Sequence, residues 1–193
     1  MTSQIDLYLL HMIFHILCCF QILSKNLRKL FPTADPVSYT HLALIEEKLA
    51  DYPDLKGTKA AFCWISADDL SSFYIYMPSD PRASYLLDLG LEFPESVKEL
   101  AENTSDFSIT VSRENADQLK DVDMIVVYGD QSLLDALQED ELMSQIPAVK
   151  NGAVALIDST SALAGASTPS ILSIPYEIDE YLSLLSEAQE QIQ

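Results

Sequence analysis

Short, nearly unbroken apolar runs alternate with stretches whose apolar residues recur every three or four positions, and this alternation organises the chain from Ala43 onward. Ala43 to Tyr52 (ALIEEKLADY) brings Leu44, Ile45, Leu49 and Tyr52 near one helical face and stops at Pro53. Lys59 to Ser66 (KAAFCWIS) lacks polar alternation, as a strand covered on both faces should. Asp68-Asp69 then turns the chain, and Phe73 to Met77 (FYIYM) is a second strand closed by Pro78. Arg82 to Leu89 is helical, with Ser79 or Asp80 as cap, Pro81 in the first turn and Gly90 as the stop.

The same reading predicts a helix over Pro94 to Asn103, a strand over Phe107 to Val111, and a short helix over Arg113 to Leu119 capped by Ser112. Asp123 to Tyr128 (DMIVVY) is the clearest buried strand, and Gly129-Asp130 leads into a helix around Leu133 to Leu137. A short helix near Glu141 to Gln145, a turn at Lys150-Asn151-Gly152 and a strand over Ala153 to Ile157 follow. Ser159 to Ser173 is uncharged and rich in small hydroxyl residues, the chemistry of a loop. Pro175 to Gln189 is amphipathic, with Ile178, Tyr181, Leu182, Leu184 and Leu185 as its apolar stripe. Strands alternating with helices imply crossover connections, so the predicted class is α/β, a three-layer Rossmann-like lobe with a mainly parallel sheet.

The first 42 residues do not match this body. Ile5 to Leu23 is almost continuously apolar and nearly long enough to span a bilayer as a helix. As a signal peptide it is poorly formed: Lys25, Arg28 and Lys29 follow the apolar run, Asp6 precedes it, and no small-residue cleavage site is evident. Ile16-Leu17-Cys18 places Leu17 where a lipoprotein signal wants a small residue. Pro36 to Leu42 (PVSYTHL) reads like translated sequencing-adapter text, so most of residues 1–42 are expected to be foreign to the fold; the alternative is a genuine targeting or tethering helix.

Charge and composition then remove whole classes of function. Residues 1–42 are net +1, leaving −20 on the rest of a chain whose formal charge is −19. Such a field repels phosphate backbones, so nucleic acid is not an expected partner. His11, His15 and His41 all precede the body, which therefore has no imidazole for a triad, a general acid or a histidine metal site. Cys18 and Cys19 are adjacent and Cys63 lies in a strand-like run, so no disulfide framework follows. The five glycines are isolated, giving neither GxGxxG, nor a phosphate-cradling GxxxxGK[ST], nor a GxSxG nucleophile elbow, and the body is not expected to be an enzyme.

The wording of the body, in order, is PDLKGTKAAF, YMPSDPRASYLLDLGLEFPESV, ITVSRENADQLKDVDMIVVYGD, LMSQIPAVKNGAV and STPSILSIPYEIDEYL. These pieces resemble the carboxy-terminal lobe of the iron-siderophore substrate-binding proteins of ABC importers, over roughly Leu44 to Leu185. The resemblance implies three regions: a leader of doubtful origin (1–42), the end of an interlobe helix (43–56), and the lobe itself (57–193). It implies a ferric siderophore as ligand, no cofactor and no direct metal ligand, an ABC permease as partner, and action as a monomer. An extracytoplasmic site follows, with membrane association through a lipid anchor or the permease. The first lobe is expected to be missing, so this chain alone should bind a chelate poorly or not at all.

On this lobe the resemblance and the chemistry together nominate Tyr74, Tyr76 and Arg82 as ligand contacts, because aromatic faces and guanidinium groups suit a bulky ferric complex. Arg82 could instead pair with Asp80 or Asp88, and the two tyrosines, sharing a strand face, could be core. Trp64 is expected to be core. Thr160 and Ser161 are second, weaker ligand-facing candidates. Glu114, in the wording VSRENADQL at a helix start, matches the carboxylate that such receptors present to permease arginines; a plain helix-start glutamate is the alternative. A different class stays open, a membrane-tethered Rossmann-like interaction module with no transport role.

Overall fold

The computed structural model describes residues 36–192, so the readings of the apolar leader and of Cys18 lie outside the described residues. His41–Gln193 forms one compact unit. Helix α1 (Pro36–Leu49) runs without a break across the expected boundary after residue 42. A 3-10 turn at Pro53–Leu55 follows, and then strands β1 (Ala60–Ser66) and β2 (Asp69–Tyr76). Next come α2 (Pro81–Asp88), α3 (Glu95–Glu102), β3 (Ser108–Ser112) and a kinked 3-10 segment at Arg113–Leu119. Strand β4 (Met124–Tyr128), α4 (Gln131–Glu139), a 3-10 turn at Met143–Gln145, α5 (Pro147–Asn151) and β5 (Val154–Ile157) complete the sheet region. The chain closes with α6 (Ala162–Ala166) and α7 (Ser173–Gln189).

The five strands form one sheet in the order β3-β2-β1-β4-β5. β1, β4 and β5 are parallel neighbours, while β2 runs antiparallel to both β1 and β3. Four strands therefore share a direction and β2 opposes them. The reversal has a local cause: Ala67-Asp68 makes a tight turn and β2 begins at Asp69, four residues before the predicted start, so β1 and β2 form a hairpin where no crossover helix fits.

Both faces of the sheet are covered. Phe62 and Val126 point one way, Cys63, Ile75, Ile125 and Val127 the other, and all are fully buried, which makes the lobe three-layered as expected. Burial leaves the Cys63 thiol pushed up to about 12. Helix α7 supplies Ile178, Tyr181, Leu182 and Leu185 at helical spacing, and Tyr85 of α2 packs against Tyr181 with ring centroids 5.8 Å apart. Gly90 and Gly152 end α2 and α5 with φ of 82° and 78°, a conformation in which a side chain would be strained. Among the described residues no helix is long and apolar enough to cross a membrane.

Candidate functional site

Strand order reverses between β1 and β4, since β1 leads outward to β2 and β4 leads the other way to β5. In a doubly wound sheet that is where a crevice opens at the strand ends. One face of the sheet carries an aromatic row there: Phe62 and Trp64 on β1, Tyr74 and Tyr76 on β2, Tyr128 on β4. Trp64 lies directly opposite Tyr74 in the hairpin register, with ring centroids 5.4 Å apart and edge to face. Buried Phe62 is the hub, 5.6 Å from Tyr76 and 5.3 Å from Tyr128.

Arg82 reaches this row from the first turn of α2. Pro81 presets the turn, and Asp80 caps it by accepting from the Arg82 backbone N–H at 2.9 Å. The same carboxylate takes the guanidinium in a fork, Nε to Oδ1 at 2.9 Å and Nη2 to Oδ2 at 2.8 Å. The guanidinium carbon then lies 3.9 Å from the centroid of the Tyr76 ring. Burial pushes the Asp80 carboxyl up, but its bonds to Arg82 outweigh that and hold it below the usual carboxylate range; those bonds raise Arg82 in turn. Burial raises the Tyr76 phenol, which keeps it neutral.

These groups line an open hollow of about 510 Å³. Trp64, Tyr76, Arg82 and Tyr128 form one side; Ser159, Ser161, Ala164 and Gly165 form the other. The small side is pinned to the aromatic side by one bond. Ser167, fully buried after α6, donates to the Ala164 carbonyl at 2.8 Å and so accepts from the Tyr128 hydroxyl at 2.6 Å. An adjoining hollow, sharing Tyr128 and Ser159, is edged by Asp130 and Asp158. Both stay ionised, Asp130 through the Ser132 hydroxyl and Asp158 through the Thr160 backbone N–H, bonds that lower their pKa values.

The structure thus brings together Tyr76, Arg82 and Ser161. Arg82 is paired to Asp80, as its alternative reading expected, and it also lines the hollow. Tyr74 lies on the same sheet face beside Trp64, outside the hollow's lining. Thr160 does not line it either: its backbone N–H and hydroxyl both donate to Asp158 Oδ1, at 2.8 and 2.7 Å. Ser161 is committed locally as well, capping α6 by accepting from Ala164 N at 3.2 Å. Trp64 corrects the expectation of a core residue: it is 41% exposed, because the apolar run ends where the sheet face opens. Tyr128 was missed altogether, being read only as the end of a buried strand.

Glu114 is exposed in the first turn of the 3-10 segment after β3. Ser112 sits at the cap position without capping the backbone; its hydroxyl donates instead to Glu114 Oε2 at 2.7 Å, holding that carboxyl below its ordinary range. Since β3 shares the direction of β1 and β4, Glu114 follows the same end of the sheet as Trp64 and Tyr128. It borders a separate hollow of about 260 Å³ with Asp117, Lys120, Leu142 and Ile146. Among the described residues no cluster of three or more His, Cys, Asp or Glu is placed to hold a metal ion.

A family model described as periplasmic binding protein matches residues 43–160. The chain is similar to PiaA of Streptococcus pneumoniae TIGR4 solved in complex with ferrichrome, at 44% identity and a TM-score of 0.78, covering 81% of this chain and 53% of PiaA. A second structure of PiaA, described as an iron uptake ABC transporter substrate-binding protein, matches at 43% identity and a TM-score of 0.75, covering 80% and 53%. The siderophore periplasmic binding protein of the fuscachelin gene cluster of Thermobifida fusca shares the fold, at 20% identity and a TM-score of 0.57, covering 78% and 52%. The chain spans about half the length of these structures. No curated protein matches its sequence.

Proposed function

The chain belongs to the periplasmic binding protein family, and from that premise we propose that its aromatic hollow is one wall of a ferric siderophore site in the substrate-binding component of an ABC importer. The observation that carries this reading is the guanidinium of Arg82 stacked on Tyr76 beside Trp64 and Tyr128, at the point where the strand order reverses. Ring faces and a fixed cation suit a bulky chelate whose periphery is apolar and whose metal-binding oxygens accept hydrogen bonds. The similar PiaA was solved with ferrichrome, which favours the same kind of ligand here.

Such a receptor binds and releases, and performs no covalent chemistry. The siderophore is its cargo and not a cofactor. Glu114, exposed and held ionised, is suited to pair with an arginine of the permease, and the receptor works outside the cytoplasmic membrane as a monomer. In a transport assay with a full-length version of the receptor, Glu114→Arg lowers uptake and leaves chelate affinity intact; unchanged uptake removes this role.

One wall of a cleft holds a chelate weakly, so the test runs into the millimolar range. Ferrichrome is titrated against the chain while the fluorescence of Trp64, its one tryptophan, is followed. Saturable quenching that Tyr76→Ala and Arg82→Gln both weaken is expected. Quenching that never saturates, or that ignores both substitutions, overturns the proposal.

A further inference from the structure

Arg82 is one of only two arginines after residue 42, and the other, Arg113, is paired with Asp140 at 2.9 Å. It is also the one base among the described residues lining the aromatic hollow. Its charge is not free. Asp80 is 4% exposed and uses both carboxylate oxygens on Arg82, through the fork and through the backbone N–H. The pair contributes a cation's donors with almost no net field. Two of the five guanidinium N–H groups are spent on Asp80, and the rest face the Tyr128 hydroxyl and the hollow.

Around this neutral pair the field is negative. Asp130 and Asp158 edge the adjoining hollow, and the chain beyond residue 42 carries −20. An anionic ferric complex would enter this surroundings with no uncompensated positive charge to meet it. A complex whose charges cancel internally meets donors and ring faces at no electrostatic cost.

We propose that Asp80 sets the specificity of this hollow, neutralising and aiming Arg82 so that ferric chelates of zero or positive net charge, such as tris-hydroxamates, are selected over polyanionic ones, such as tris-catecholates. This rests on the reading of the hollow as a siderophore wall. Asp80 acts through Arg82 and is a positioning residue; Arg82 touches the ligand.

The test compares two probes on the full chain by Trp64 quenching: ferrichrome, which is neutral, and a ferric tris-catecholate of charge −3. The wild-type chain prefers ferrichrome. Asp80→Asn keeps a capping side chain but releases the guanidinium charge, and narrows the preference on the order of tenfold, as expected for one unit charge acting on a trianion several ångströms away. Arg82→Gln leaves an unpaired carboxylate and widens it. A merely structural role would weaken both probes together and leave their ratio fixed, and that result overturns the proposal, as does a wild-type preference for the trianion. If the quenching by both probes ignores Tyr76→Ala, the siderophore reading of the hollow itself fails, and the two failures are thereby told apart.

Discussion

The bond between Tyr128 and Ser167 joins the aromatic side of the hollow to the small-residue side, so removing it tests how the site is held open. Tyr128→Phe deletes one hydroxyl and no carbon. Ser167 still donates to the Ala164 carbonyl and loses only the proton it accepts at 2.6 Å, so the cost is that of one ordinary hydrogen bond, about 1 kcal/mol. Ser167→Ala removes both bonds from a fully buried position, yet leaves the Tyr128 hydroxyl half-buried and able to meet water, so about 1–2 kcal/mol is expected. Because each substitution removes the shared bond, the double variant should cost less than the two costs added, by a coupling of about 1 kcal/mol. Urea unfolding followed by far-ultraviolet circular dichroism and by Trp64 fluorescence supplies all four free energies. A coupling within about 0.3 kcal/mol of zero would refute the bond and, with it, the idea that α6 is pinned to the sheet.

Other consequences follow from single positions. A Cβ at Gly129 would lie 2.6 Å from Leu133 Cδ2 and 3.2 Å from its Cβ, so Gly129→Ala should destabilise by about 1–3 kcal/mol, read as a lower melting temperature; an unchanged melt contradicts the close approach of β4 and α4. Cys63, fully buried with its thiol pushed up to about 12, should resist a thiol reagent at pH 8 in a Cys18→Ser, Cys19→Ser variant and react once urea is added. The Asp80 carboxyl lies below its unfolded value of 3.8, so its stabilisation is complete above that value and is lost as the pH falls through the lower folded value. The stability gap between wild type and Asp80→Asn should therefore be widest near neutrality and close in acid; a gap that widens in acid reverses the sign.

Local chemistry made most of the fold legible. The Pro81 and Asp80 start of α2, the stop at Gly90, the apolar stripe of α7 and the buried MIVVY strand each satisfy their needs within a few residues, and each stands where the pattern placed it. Longer-range facts were hidden. The hairpin between β1 and β2 depends on Asp69 to Ser72 joining a strand that Asp69, Ser71 and Ser72 disguise by their polarity, because that stretch is only partly covered. Helix α6 has only five residues, four of them alanine or glycine, and reads as loop. Trp64 looked like core since KAAFCWIS has no polar break, and nothing within one strand tells where its covering layer ends. Tyr128 gave no signal of its own; its importance comes from Phe62, Ser167 and Arg82, which are distant in sequence. Of the two ligand-facing candidates Thr160 and Ser161, only the second lines the hollow, because Thr160 turns back onto Asp158.

The proposed seat of a ferric chelate is the Trp64, Tyr76, Arg82 and Tyr128 face. High-spin ferric iron broadens nearby nuclear magnetic resonance signals, while the gallium complex of the same chelate does not, so the difference between the two maps proximity directly. With ferrichrome and its gallium counterpart, selective iron-dependent loss of the Trp64 indole, Arg82 Nε, Ala164 and Gly165 signals is expected, with those around Glu114 kept. Broadening centred elsewhere, or spread evenly over the surface, would contradict it.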